Sequence, residues 1–151
     1  MSILLDTNII VNVIRARNPT AIINFLNPNS ENIYVSVVSE AEAKSISIRN
    51  HWGASRKKLL DNFLDEVTLV EVTQLFVSAY TEIDTYSQRV NTRFDKYPFQ
   101  TPRNMGKNDL WIASAASLFG LTLITTDADF DHLHGVFFDI IKFQPTDFTR
   151  F

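Results

Sequence analysis

The stretch Ile3-Leu4-Leu5-Asp6-Thr7-Asn8-Ile9-Ile10-Val11-Asn12-Val13-Ile14 decides the class of fold. Its first three residues form an unbroken apolar run, the mark of a strand buried on both faces, and the run stops at the polar triplet Asp6-Thr7-Asn8. Beyond the triplet, Ile9, Ile10, Val13 and Ile14 recur at helical spacing. A buried strand feeding straight into a helix is the opening unit of a parallel sheet, and the alternation continues outward. Residues 33–37 read as a second strand, leading into a helix that opens at Ser39-Glu40 and ends at His51-Trp52-Gly53. Residues 67–72 read as a third strand, followed by a helix to about Val90. A helix opening at Asn108-Asp109 and closing at Gly120 leads to a fourth strand at 121–125, and residues 136–143 read as a fifth. A helix over 20–26 and an amphipathic one over 55–64 complete an α/β chain whose mostly parallel sheet is covered on both faces, in a single domain over residues 1–151.

Composition narrows the chemistry. At 151 residues with 45% apolar content, the chain suffices for one real core. The absence of Cys excludes disulfides, thiolate zinc sites and a cysteine nucleophile, and suits a reducing cytosol. Gly53, Gly106, Gly120 and Gly135 are too few and too scattered for a dinucleotide loop or a Walker A loop. No Ser stands in a GxSxG setting, so serine hydrolase chemistry has no support. The start has no basic leader and no apolar run approaches the roughly 18 residues of a membrane span, so a soluble, cytoplasmic protein is expected. The formal charge of −3 excludes an evenly basic nucleic-acid binder, though not a local basic strip.

The acids fall into a pattern on that scaffold. Asp6 follows the first strand, Glu40 sits at the start of the helix after the second, Asp109 opens the late helix, and Asp127 follows the fourth strand. In an open parallel sheet the carboxyl ends of the strands and the starts of the following helices share one edge, where ligand crevices form. Taken singly, each acid is an ordinary helix cap, first-turn acid or turn residue; taken together they suit a divalent cation, which relieves the repulsion among converging carboxylates. Carboxylate oxygens without His or Cys are the ligands of Mg2+ or Mn2+, ions that cut phosphodiesters by activating water and stabilising the leaving oxygen. Thr7, Asn8, Asn108, Thr125 and Thr126 are the short polar neighbours that orient such ligands.

Leu4-Leu5-Asp6-Thr7-Asn8-Ile9, Val38-Ser39-Glu40, Asn108-Asp109 with Leu110-Trp111-Ile112-Ala113, and Leu123-Ile124-Thr125-Thr126-Asp127-Ala128-Asp129-Phe130 occur in that order over nearly the whole chain. The set resembles the PIN-domain ribonucleases, and its order, spacing and length look most like VapC-type toxins of bacterial toxin–antitoxin pairs. The resemblance implies a Rossmann-like, three-layer α/β/α fold with a parallel five-stranded sheet, and Mg2+- or Mn2+-dependent endonucleolytic cleavage of RNA. It implies Asp6, Glu40, Asp109 and Asp127 as the catalytic, metal-binding quartet, with Asp129 able to replace or assist Asp127. Asp6 and Asp109 would be the main metal ligands; Glu40 and Asp127 would complete the cage or orient the water. Thr7, Asn8 and Thr125 match the supporting polar positions. A homodimer and a small antitoxin inserted into the acidic groove are the implied partners. The resemblance also extends to PIN nucleases of RNA processing that act without an antitoxin, and to PIN-like modules that bind RNA or protein without cutting.

Between Ser87 and Asn108, Arg89, Arg93, Lys96, Arg103 and Lys107 face Asp95 alone, interleaved with Phe94, Tyr97 and Phe99. Two readings of this loop stand. It is a strip for single-stranded RNA, with Arg93, Lys96, Arg103 and Lys107 on the phosphates and the rings on the bases, or a solvated loop whose rings dock on the core. His132 and His134, two residues apart and outside any HExxH pattern, read as surface residues rather than zinc ligands.

Overall fold

The computed structural model describes residues 2–151. Five parallel strands form one sheet: β1 (Ser2–Leu5), β2 (Asn32–Ser36), β3 (Thr68–Val70), β4 (Thr122–Thr125) and β5 (Ile140–Lys142), in the spatial order β3-β2-β1-β4-β5. The registers pair Ile3 with Ile33 on one side of β1 and with Thr122 on the other. The helices are α1 (Thr7–Arg15), α2 (Pro19–Leu26), α3 (Val37–Arg49), α4 (Ala54–Glu66), α5 (Phe76–Ser87) and α6 (Lys107–Phe119). Short 3-10 turns lie at Ala128–Leu133 and Pro145–Phe148.

The unbroken apolar run of β1 has its reason in two cores. Leu4 belongs to the core beneath α5 and α6, while Ile3 and Leu5 belong to the one beneath α1, α2 and α4; Leu123 and Ile124 divide in the same way on β4. The three-layer α/β/α arrangement with a parallel five-stranded sheet is therefore present as the sequence implied. Strand order reverses about β1, because the chain builds β2 and β3 on one side of it and β4 and β5 on the other. The crevice at the carboxyl ends of β1 and β4 is where such a sheet accepts ligands.

Several boundaries differ from the sequence expectation, each for a local reason. Helix α3 begins at Val37 rather than Ser39, because the Ser36 hydroxyl accepts the Val38 amide hydrogen at 3.1 Å and caps it there. The Asn18 side chain caps α2 in the same manner, at 3.1 Å from the Ala21 amide nitrogen. The fifth strand is only three residues long: Gly135 turns the chain at φ 72°, and Phe137 and Phe138 enter the core instead of extending the sheet. Gly120 closes α6 as expected, in the left-handed conformation at φ 63°.

The loop after α5 is long but not loose. Tyr86, almost fully buried, gathers Phe94, Tyr97, Phe99 and Phe137 with ring centroids 4.7–5.5 Å away. His132 is part of the same cluster: its ring is parallel to Tyr86 and its Nε2 lies 2.7 Å from the Ser87 hydroxyl oxygen. Burial pushes the imidazole down to about 4, with the nearby Arg103 charge adding to the effect. His132 is thus a half-buried packing residue rather than a surface one. His134 is exposed, and its Nδ1 accepts the Ile140 amide hydrogen at 2.9 Å.

Candidate active site

Asp6 ends β1 and caps α1. Its amide nitrogen donates to the Ile124 carbonyl at 3.0 Å, continuing the sheet bonding to β4 by one residue. Its carboxylate accepts from the Thr7 amide at 2.8 Å through Oδ1 and from the Thr125 hydroxyl at 2.7 Å through Oδ2. Each oxygen keeps a lone pair for another partner. Asp6 is 4% exposed, and burial raises its carboxyl above the ordinary range; the Thr125 and Thr7 hydrogen bonds oppose that rise, while the charges of Asp127 and Glu42 add to it.

Thr125, fully buried at the end of β4, joins two of the acids. Its hydroxyl donates to Asp6 and accepts from the Asp127 amide at 3.0 Å, so Asp6 and the turn bearing Asp127 share one oxygen atom. Asp127 caps the following 3-10 turn, its Oδ1 accepting the Asp129 amide hydrogen at 2.8 Å. Asp109 arrives from the other direction, in the first turn of α6. It is pushed up to about 7, first by burial and then by the charges of Asp6, Asp127, Glu42 and Asp129. Asp109, Asp127 and Asp129 each offer an oxygen within 4.8 Å of the others, so Asp127 and Asp129 face the same spot.

The acid that α3 brings to this cluster is Glu42, not Glu40. The buried stripe Ser39, Ala43 and Ser47 packs α3 against its neighbours, and the two glutamates flank that stripe on opposite sides. Glu42 lies on the side of α1, where its Oε1 accepts the Thr7 hydroxyl hydrogen at 2.7 Å; the Ser39 hydroxyl stands 3.0 Å from the same Thr7 oxygen. Glu40 lies on the other side, 3.7 Å from the Lys44 ammonium one turn on. The sequence holds one signal for this: Glu40 has a cation at i+4, whereas Glu42 has the apolar Ile46 there and so lacks a surface partner.

The supporting residues divide likewise. Thr7 and Thr125 hold acids in place, whereas Asn8 and Asn108 stand exposed in the first turns of α1 and α6. Ion pairs among the described residues join Lys44 to Glu40, Arg93 to Glu82 and Lys142 to Asp131. None of them reaches Asp6, Glu42, Asp109, Asp127 or Asp129. Five carboxylates in one crevice, two with raised pKa and none neutralised by a side chain, form an all-oxygen donor set that fits a hard divalent cation.

The basic loop is spent differently. Arg93 is 2.8 Å from Glu82, and the Arg103 guanidinium lies 5.7 Å from the Phe99 ring centroid. Lys96 is exposed on the loop, and Lys107 begins α6 two residues before Asp109. Phe99 is buried, and Phe94 and Tyr97 pack against the same core. The rings pack as the docked reading expected, Phe99 fully and Phe94 and Tyr97 in part.

The profile of the PIN domain matches residues 3–136. A search of curated protein sequences finds no match. Among solved structures, the fold is similar to a chain of VapBC2 from Rickettsia felis bound to a DNA fragment from their promoter, with TM-score 0.72 and 22% identity over 94% of this chain and 98% of that one. It is also similar to a chain of DNA-bound VapBC from Salmonella typhimurium, with TM-score 0.68 and 17% identity over the same shares of the two chains. VapBC-5 from Mycobacterium tuberculosis, described as a member of the VapBC family of toxin–antitoxin systems, gives 0.59 and 23%. With a family profile covering strands β1 to β4 from Ile3 onward, both helical layers and every acid of the crevice, the chain belongs to the PIN domain family.

Proposed function

We propose that this protein is an endoribonuclease that hydrolyses RNA phosphodiester bonds with Mg2+ or Mn2+, and that it is the toxin of a toxin–antitoxin pair. The observation that carries the nuclease reading is the set of uncompensated carboxylates at the crevice between β1 and β4. The crevice repels a polyanionic substrate unless a cation fills it, which makes metal a condition of RNA entry as well as of chemistry. When bound, Mg2+ or Mn2+ supplies an activated water and stabilisation of the departing oxygen.

The residues divide the remaining work. Asp6, fixed through both oxygens by Thr7 and Thr125, offers an oriented pair of donors, and Asp109 faces it from α6. Glu42, held by the Thr7 hydroxyl, takes the role first assigned to Glu40, while Asp127 and Asp129 close the far side. The toxin reading is supported by similarity to chains of toxin–antitoxin complexes along nearly their whole length. A small antitoxin entering the acidic crevice, a homodimer and a cytoplasmic location belong to that proposal; no helix among the described residues is long and apolar enough to cross a membrane.

The test is cleavage of total cellular RNA in Mn2+. Asp6→Asn and Asp109→Asn should each reduce the rate at least about a thousandfold with the fold retained, as expected for removal of a main ligand of the catalytic metal. Undiminished cleavage by both variants places the chemistry elsewhere. A wild-type protein that binds RNA yet leaves every RNA class intact is a noncatalytic module.

A further inference from the structure

The polar surface beginning at the acidic crevice continues along α1. Asn8, Asn12 and Arg15 follow one another at i, i+4 and i+7, so they form a row on the helix face opposite the buried Ile10, Val13 and Ile14. The row starts two residues after Asp6 and extends about 10 Å along the axis, roughly three nucleotides of a stacked strand. At its far end a groove of about 320 Å³ opens between α1 and the C-terminal segment, lined by Asn12, Arg15, Arg17, Pro145, Phe148 and Thr149. The groove is preformed, because a main-chain oxygen of Phe151, itself part of the lining, accepts the amide hydrogens of Arg17 and Asn18 at 2.7 and 3.0 Å.

Charge sets this surface apart. Residues 7–30 contain no Asp or Glu in a chain that has 17 of them, and Arg15 and Arg17 are exposed with no ion pair among the described residues. Residues 143–151 contribute one acid, Asp147, whose carboxylate accepts the Gln144 amide hydrogen at 2.8 Å. Two cations of the loop after α5 already have partners: Arg93 is paired with Glu82 and Arg103 lies over Phe99.

We propose that the outer face of α1, from Asn8 through Asn12 to Arg15 and Arg17, is the track along which a single RNA strand leaves the acidic crevice, with the two guanidiniums on its phosphates. This assignment rests on the nuclease reading and adds a direction to it. Guanidinium groups match phosphate oxygens in geometry, and the Asn amides donate to or accept from sugar and phosphate without sequence preference. The backbone bonds of Arg17 and Asn18 to Phe151 survive truncation of the Arg17 side chain, so the groove itself remains in a variant.

The experiment measures binding of a fluorescein-labelled, mixed-sequence 12-nucleotide RNA by anisotropy, in Ca2+ and at several salt concentrations. Arg15→Ala with Arg17→Ala should weaken binding about tenfold and lower the slope of log K against log salt by about 1.4, the share of two phosphate contacts on a single strand. Arg15→Lys with Arg17→Lys should restore the slope, which a merely structural role would not predict. Arg93→Ala with Arg103→Ala should leave it unchanged. An unaltered slope in the alanine pair, with wild-type binding intact, overturns the track and leaves the nuclease reading standing. An unaltered slope accompanied by loss of a co-expressed antitoxin assigns this face to a protein partner and also overturns it. Failure of the wild type to bind or cut RNA overturns both readings.

Discussion

The acidic crevice and the loop between α5 and α6 carry opposite charge and were assembled by opposite means. The acids of the crevice come from four separate stretches of the chain, at positions 6, 42, 109 and 127–129, and converge because the sheet reverses its strand order there. The cations and rings of the loop are neighbours in sequence, and folding disperses them: Arg93 goes to Glu82, Arg103 to Phe99, and the rings to Tyr86. Adjacency along the chain is thus a poor guide to a site, whereas position relative to strand ends is a good one.

The sharpest way to break this contrast is inside α3, where two acids share one helix. Glu42→Gln should reduce RNA cleavage about a hundredfold, while Glu40→Gln should change it less than about twofold, in a comparison of kcat/KM for the two variants. A larger loss in Glu40→Gln would return the cage to the residue first expected from sequence. A second test concerns the loop rings. Phe99→Ala should cost about 3–5 kcal/mol of stability in urea unfolding, as for other buried Phe truncations, yet leave RNA affinity of the folded variant within about twofold. A large affinity loss at unchanged stability would make the ring a base platform after all.

The smallest expected effect is one of pH. Asp109 titrates near 7 in the folded chain against an ordinary carboxylate value of 3.8 when unfolded. Between those values the folded state holds more protons than the unfolded one, so metal-free stability should fall as pH rises through that window. Thermal melts of the metal-free protein should show a midpoint a few degrees lower at pH 8 than at pH 5, and Mg2+ should raise the pH 8 midpoint more than the pH 5 one. Equal midpoints, with no metal effect at either pH, would mean that neither burial nor the neighbouring charges raise Asp109.

Much of this was legible before folding. The strand–helix junctions at Asp6 and Thr125, the loop breakers and the Gly120 stop are local signals, and each has its counterpart in the structure. What failed was phase and accounting. Acids two residues apart face nearly opposite ways on a helix, so it is Glu42 that meets Thr7 while Glu40 meets Lys44. The fifth strand shortens because Phe137 and Phe138 answer to the core rather than to alternation. No local pattern shows that Phe94, Tyr97 and Phe99 will be claimed by Tyr86, because that depends on surfaces brought together only in three dimensions.

The Thr125–Asp6 hydrogen bond spans 119 positions of sequence. For a chain synthesised from its N-terminus this sets an order of events. Strands β1, β2 and β3 can pair and bury α1 through α4 while one edge of β1 is still bare, and nothing yet holds the second oxygen of Asp6 or supplies Asp127 and Asp129. The insertion of β4 covers the bare edge of β1 and brings Asp127 and Asp129 to the crevice, late in folding as contacts of such separation are. The carboxylate set is incomplete until residue 129 has been made, so on the nuclease reading proposed above topology alone defers the activity of a chain that is itself translated from RNA.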